Sequence, residues 1–316
     1  MKFDDFFSFK PKHYYERGYG NGFVKFWILT FLGVKFYFYD GYKIEFAWAD
    51  DFKNYFQSHD MDFKIKNLKQ GLDDISCEYI NLFMRLSKVW GKYLTDNYWS
   101  KYDKKLITIY EKSNFKQPFP DIATFNSFTF LHKYGLGDLP EDVLKSVNGK
   151  DIIDAGGLNG DTALIFKDLF PNSKIYVYEP LSENIETIKE IAERVNNLGG
   201  GAIVPLCKGL GDKCEIADIT FNHTEKCEIT TLEQDYKGNS LGLIKSDTEG
   251  YESKIIDGAA NLIKKYKPVL VIAIYHTPED FFEMKDKLAK LNPDYKFMIR
   301  RSEFIIPTAD FILIAY

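Results

Sequence analysis

The stretch that most limits how this chain can fold is Lys150–Phe166, K-D-I-I-D-A-G-G-L-N-G-D-T-A-L-I-F. A short apolar run, Ile152 and Ile153, ends on Asp154. Gly156, Gly157 and Gly160 follow, and then an apolar-periodic segment with Ala163, Leu164 and Phe166. The pattern predicts a buried strand, a tight turn and the start of a helix. Glycine suits the turn because it reaches backbone angles closed to other residues and lets a flat ligand approach the main chain. Such a crevice, at the carboxyl end of a strand, is where open α/β sheets bind nucleotides.

A dinucleotide site would read G-x-G-x-x-G and seat a pyrophosphate on the helix amides. Here Ala155, Gly157 and Gly160 occupy those positions, and Asp154 closes the strand. A carboxylate there repels a pyrophosphate but suits the ammonium and sulfonium of S-adenosylmethionine. This argues against a nicotinamide dehydrogenase. The next strand, Lys174–Tyr178, runs into Glu179-Pro180, where a carboxylate can accept hydrogen bonds from ribose hydroxyls. A plain glycine turn beside a surface glutamate would read the same way, so a second signal is needed. It comes at Leu243–Gly258, L-I-K-S-D-T-E-G-Y-E-S-K-I-I-D-G. Another apolar strand runs into Asp247 and Glu249, and buried carboxylates are rare unless paired.

These residues resemble the FkbM-type S-adenosylmethionine-dependent methyltransferases. The likeness rests on D-A-G-G-L-N-G-D-T at 154–162, Y-E-P at 178–180, T-L-E at 231–233, K-S-D-T-E-G-Y-E at 245–252 and P-V-L-V-I-A-I-Y-H at 268–276. It spans about the last two-thirds of the chain. Departures are Gly157-Leu158, where many members have Ala-Asn, and Glu233, where many have Asp. The resemblance implies an α/β fold with the Rossmann-like sheet of class I methyltransferases. It also implies a cofactor crevice formed by Asp154, Gly156, Gly157, Gly160, Asp161, Thr162, Glu179, Pro180 and Asp247. The implied acceptors are small molecules or glycans, often sugars of surface polysaccharides; a lipid-linked acceptor is the alternative.

Transfer of a methyl group to oxygen needs alignment and a base. His276 directly follows the fifth core strand, at the edge where ligands bind, and is the expected base. His13, His59 and His223 read as surface residues, and His132 as either core or substrate-facing. Asp247, Glu249 and His276 also offer a ligand set for a divalent ion that would acidify the hydroxyl. Without such an ion, Asp247 is expected to contact the cofactor's amino group and Glu249 to cap the next helix.

The net charge of −5 gives no non-specific hold on nucleic acid. Four cysteines without C-x-x-C spacing, and no signal peptide, point to the reducing cytoplasm. Phe23–Tyr39 is apolar, but Lys25 and Lys35 interrupt it; lying in a membrane interface fits it better than spanning.

Residues 1–135 are read as an aromatic-rich α+β accessory region and 136–316 as the cofactor-binding domain. A hairpin is expected about Asp40-Gly41, joining Val34–Tyr39 to Tyr42–Trp48. Helices are expected over Asp73–Lys92, within 93–120, and from Pro140. From residue 150 strands and helices alternate, with a Ser182-capped helix, a small antiparallel insertion over 215–232, one helix over Tyr251–Tyr266, and a closing antiparallel pair. A non-catalytic protein whose aromatic region docks a glycan or membrane is the competing reading.

Overall fold

The computed structural model describes residues 46–88, 90, 99–125, 127–220, 224–303 and 309–316, and the strand backbone of 7–13, 25–31 and 34–40. The amino-terminal strands β1 (Phe7–His13), β2 (Lys25–Phe31) and β3 (Val34–Asp40) form an antiparallel sheet in the order β1-β2-β3. A hairpin joins β2 to β3, with Phe31 opposite Val34; the turn expected about Asp40-Gly41 falls at residues 41–45, outside the described residues. Phe46 is buried and Trp48 opens a helix, which takes the end of the expected Tyr42–Trp48 strand out of any sheet. Residues 42–45 lie outside the described residues.

Three helices follow: α1 (Ala49–Ser58), α2 (Met61–Lys69) and α3 (Asp74–Ser87), then α4 (Lys101–Ser113) and the short α5 (Ser127–Leu131). Asp60, Asp73 and Ser100 cap α2, α3 and α4 by accepting from backbone amides. A 3-10 segment, Lys133–Asp138, leads to α6 (Glu141–Val147).

The alternating part runs β4 (Asp151–Ala155), α7 (Asp161–Leu169), β5 (Ile175–Tyr178), α8 (Ser182–Asn196) and β6 (Ile203–Leu206). Next come β7 (Gly209–Leu210), β8 (Glu215–Thr220), β9 (Thr224–Thr230) and the one-turn α9 (Leu232–Asp235). Then β10 (Leu241–Ser246), α10 (Glu252–Asp257), α11 (Ala260–Tyr266), β11 (Val269–Ala273), α12 (Pro278–Leu291), β12 (Phe297–Arg301) and β13 (Phe311–Ala315) complete the chain. The main sheet has the order β12-β13-β11-β10-β4-β5-β6, with β13 antiparallel to both neighbours. The expected insertion is a small sheet, β7-β9-β8.

Two local expectations change. Ser182 does not cap α8: Leu181 holds that position, and the Ser182 hydroxyl donates to Glu225 instead. The single helix over Tyr251–Tyr266 is two, broken at Gly258-Ala259. Glu233 accepts from the backbone amide and the side chain of Asn261, anchoring the start of α11.

Both faces of the sheet are buried, and successive strand residues divide between two cores. Ile153, Ile244 and Ile272 join one; Ile152, Leu243 and Val271 join the other. The first core also takes Phe52, Tyr79 and Phe83 from α1 and α3. Phe83 stacks on Phe281 of α12 at 4.0 Å, and burying one such ring contributes about 2 kcal/mol. The amino-terminal helices are also tied down by polar contacts. Lys285 of α12 donates to the carbonyls of Asn67, Leu68 and Gln70 at the end of α2. Arg300 of β12 pairs with Asp73 at 2.7 Å and with Asp138. Among the described residues no helix is long and apolar enough to cross a membrane.

Candidate active site

The crevice lies where the loops after β4 and β10 meet. Gly156 has φ +77°, and a Cβ there would sit 1.9 Å from the Asp247 carbonyl oxygen, so only glycine permits this approach. At Gly157 a Cβ would fall 2.2 Å from the Val177 side chain, and Gly160, at φ +82°, starts α7. The three glycines therefore form the turn that their spacing predicts.

Asp154 lies near the carboxyl end of β4, inside the fold. Its side chain is wholly buried and pairs with the Lys245 ammonium at 3.0 Å. Lys245 also donates to the carbonyl of Gly156 at 2.7 Å. Burial pushes the Asp154 carboxyl up, while Lys245 and Thr162 oppose that rise. Asp154 thus ties the turn to β10 through Lys245, and neither of its carboxylate oxygens has a hydrogen-bond partner among the described residues. A lysine inside the apolar run Leu241–Ser246 was the available signal, because such a charge needs a partner.

Glu179 stands at the end of β5, beside the turn. One oxygen accepts from the Leu158 amide at 2.8 Å; the other accepts from the Leu181 amide at 3.0 Å and from Asn184 at 3.2 Å. A carboxylate offers about four acceptor positions, so about one remains open. Pro180 is half-buried beside the Cys207 thiol, which donates to its carbonyl. Asp161 does not face the crevice freely either. It accepts from the amide of Thr124 at 2.8 Å and from its hydroxyl, pinning the amino-terminal region to the first turn of α7.

The third part of the site is the loop Asp247-Thr248-Glu249-Gly250. Glu249 has φ 56° and Gly250 φ 100°, two left-handed residues in succession. This costly arrangement is held by Glu252, which is fully buried. Its carboxylate accepts from the amides of Thr248 (2.6 Å) and Gly250 (2.9 Å), the Thr248 hydroxyl (3.3 Å) and His276 Nδ1 (2.8 Å). Sequence reasoning missed Glu252, although it lies within the motif at 245–252.

His276 is buried, and its Nε2 has no hydrogen-bond partner among the described residues. That nitrogen lies 3.5 Å from Asp247 and 3.9 Å from Glu249. Burial works to lower the His276 pKa, but the Glu252 hydrogen bond and the charges of Glu252, Asp247 and Glu249 outweigh it and push it up to about 9. Asp247 accepts from the hydroxyls of Tyr134 (3.1 Å) and Tyr275 (3.3 Å). Trp48, from the amino-terminal region, packs its ring edge-on 4.8 Å from the imidazole. Glu249 keeps 66 % of its side chain exposed, at the mouth. His132 is a core residue: its Nδ1 accepts from the Gly135 amide, and burial lowers its pKa to about 4.

The expected metal set changes as well. Asp247, Glu252 and His276 bring ligand atoms within 4.8 Å of one another, with Glu252 in the place expected for Glu249. Glu252 already accepts from four donors, so an ion seated there would compete with those hydrogen bonds and with the imidazole proton.

A seven-stranded sheet with one antiparallel strand next to its edge, carrying acids after its central β10 and a glycine turn after the adjacent β4, is the class I methyltransferase fold. Comparison narrows the class. Residues 215–299 match the family described as Methyltransferase FkbM domain. Among solved structures, methyltransferase FkbM from Methylobacillus flagellatus KT superposes with TM-score 0.57 at 19 % identity, over 85 % of this chain and 60 % of that one. The chain thus spans three-fifths of that protein's length. Weaker likenesses include Aeropyrum pernix fibrillarin, solved with S-adenosyl-L-methionine (TM-score 0.39, 15 % identity, 60 % of this chain and 76 % of that one). Another is Podospora anserina methyltransferase PaMTH1, solved with SAH (TM-score 0.34, 12 % identity, 71 % and 98 %). The search of curated proteins gives no match.

Proposed function

We propose that this protein transfers the methyl group of S-adenosylmethionine to a hydroxyl of a small-molecule or glycan acceptor, a sugar of a surface-glycan precursor being the favoured class. The observation that carries this reading is the buried pair Glu252–His276, which leaves an unpartnered Nε2 at the carboxyl edge of the sheet. Glu252 fixes His276 through Nδ1 and leaves Nε2 to face the acceptor hydroxyl, as a positioned base requires. Glu179 and the glycine turn receive the nucleoside part of the donor, and Asp247 faces its amino group. The donor supplies an electrophilic methyl: its S–C bond breaks, the sulfur keeps the electron pair, and the oxygen gains the methyl. The hydroxyl proton passes to Nε2.

In the free protein His276 is held protonated by the three carboxylates. A cation seated beside Asp247 weakens that field and lowers the imidazole pKa, so donor binding prepares the base. The proposal needs no metal. A cytoplasmic location is supported by four free cysteines. The test is methyl transfer from labelled donor to a panel of nucleotide sugars and glycans, with and without chelator. Donor binding with no transfer from His276→Ala, against transfer from the wild type, supports the assignment. Failure of the wild type to bind either the donor or its demethylated product overturns it.

A further inference from the structure

A cavity of about 190 Å³ lies between α4, α5 and the segment Lys133–Asp138, with Arg300 and Arg301 of β12 completing its lining. Asp247, Glu252 and His276 are not among its lining residues. An engineered cavity of about 150 Å³ takes up one benzene ring, so this space holds about one six-membered ring. Tyr79, Tyr102 and Phe128 offer aromatic surface, and Asp138, Arg300 and His132 add polar groups.

Charge and hydrogen bonding restrict what that ring can be. Arg300 spends its donors on Asp73, Asp138, Ser76 and the Ile299 carbonyl, which leaves little for an entering anion. An anion would also meet the carboxylate of Asp138. A purely apolar ring would strip water from Asp138 without replacing its hydrogen bonds. Asp138 accepts from the Tyr102 hydroxyl at 2.5 Å and from Arg300, and about two of its four acceptor positions remain. A ring that presents C–H faces to the aromatics and hydroxyls to Asp138 satisfies both parts of the lining.

We propose that this cavity is a binding site for one neutral polyhydroxylated ring, such as a hexopyranose. It does not depend on the methyl-transfer reading. The site nevertheless adjoins the crevice. His132 and Gly135 line it, and Tyr134 between them donates to Asp247. Lys133, Tyr134 and Gly135 all have positive φ, at 58°, 53° and 82°, so the wall between the two sites is a strained backbone turn.

The experiment is calorimetric and saturation-transfer titration of the full chain with methyl α-D-glucopyranoside, glucose 6-phosphate and phenol, with no methyl donor present. The neutral sugar is expected to bind saturably, and more tightly than phenol or the phosphate. Leu106→Trp, which fills the cavity, should weaken the sugar by at least about tenfold; Tyr102→Phe, a milder change that keeps the ring, should weaken it about threefold. Absence of saturable sugar binding overturns the proposal. So does equal binding by phenol, or sugar binding that both variants leave unchanged.

Discussion

Replacing Glu252 by glutamine tests the site at its most loaded contact. The substitution keeps shape and removes the charge 2.8 Å from His276 Nδ1. In the native protein the imidazole pKa stands at about 9 against an ordinary 6.5. That difference corresponds to about 3 kcal/mol in favour of the protonated form. Without the Glu252 charge, burial opposes protonation and only Asp247 and Glu249, at 3.5 and 3.9 Å, remain to support it. The midpoint should fall by about two units or more, to near 7 or below. At pH 7 the neutral fraction of the free protein then rises from about one in a hundred to about half. Turnover should nonetheless fall about 10²-fold, because the amide no longer fixes which ring nitrogen carries the proton. Histidine-selective NMR titration reads the midpoint, and labelled-methyl assays across pH read the rate. A midpoint that stays within about half a unit of the native one would refute the reasoning, whatever happened to the rate.

Further outcomes follow from the same geometry. Because the folded pKa of His276 is raised, its contribution to stability is complete below about 6.5 and is lost as pH rises through about 9. Thermal midpoints should therefore decline across that window in the wild type and less in His276→Gln. His132 has the opposite sign: its folded pKa of about 4 makes its contribution complete above about 6.5 and lost as pH falls towards 4. Acid unfolding monitored by circular dichroism should steepen there, and less so in His132→Gln. Lys245→Met leaves Asp154 buried without its cation and should cost about 3–5 kcal/mol in urea unfolding. Gly156→Ala, whose Cβ would meet the Asp247 carbonyl at 1.9 Å, should cost about 2–4 kcal/mol and weaken donor binding. Chelator should leave turnover unchanged; loss on chelation with recovery on one added divalent ion would overturn the metal-free reading.

Much of the carboxyl-terminal fold was legible because its strands and helices carry strong local periods. Leu241–Ser246 forms a strand and Pro278–Leu291 a helix within the alternating part, and the glycine turn has the predicted form. What could not be read were side chains whose partners lie far along the chain. Lys245 meets Asp154 across 91 positions, and Trp48 meets His276 from the opposite end of the sequence. Alternation marks which face of a strand is wet only when one face is wet, so it could not show where Asp154 points on a strand covered on both sides.

The grip of Lys285 on the end of α2 bears on how the protein is made. A helix normally settles its last carbonyls with residues close by, yet here the cation arrives 217 positions after Leu68. At a synthesis rate of about 5–20 residues per second, that is a wait of roughly 10–40 s. During that interval the nascent α2 has neither its terminal donor nor the apolar face of α12 to lie against. The amino-terminal helices are therefore among the last parts to become native, although they leave the ribosome early.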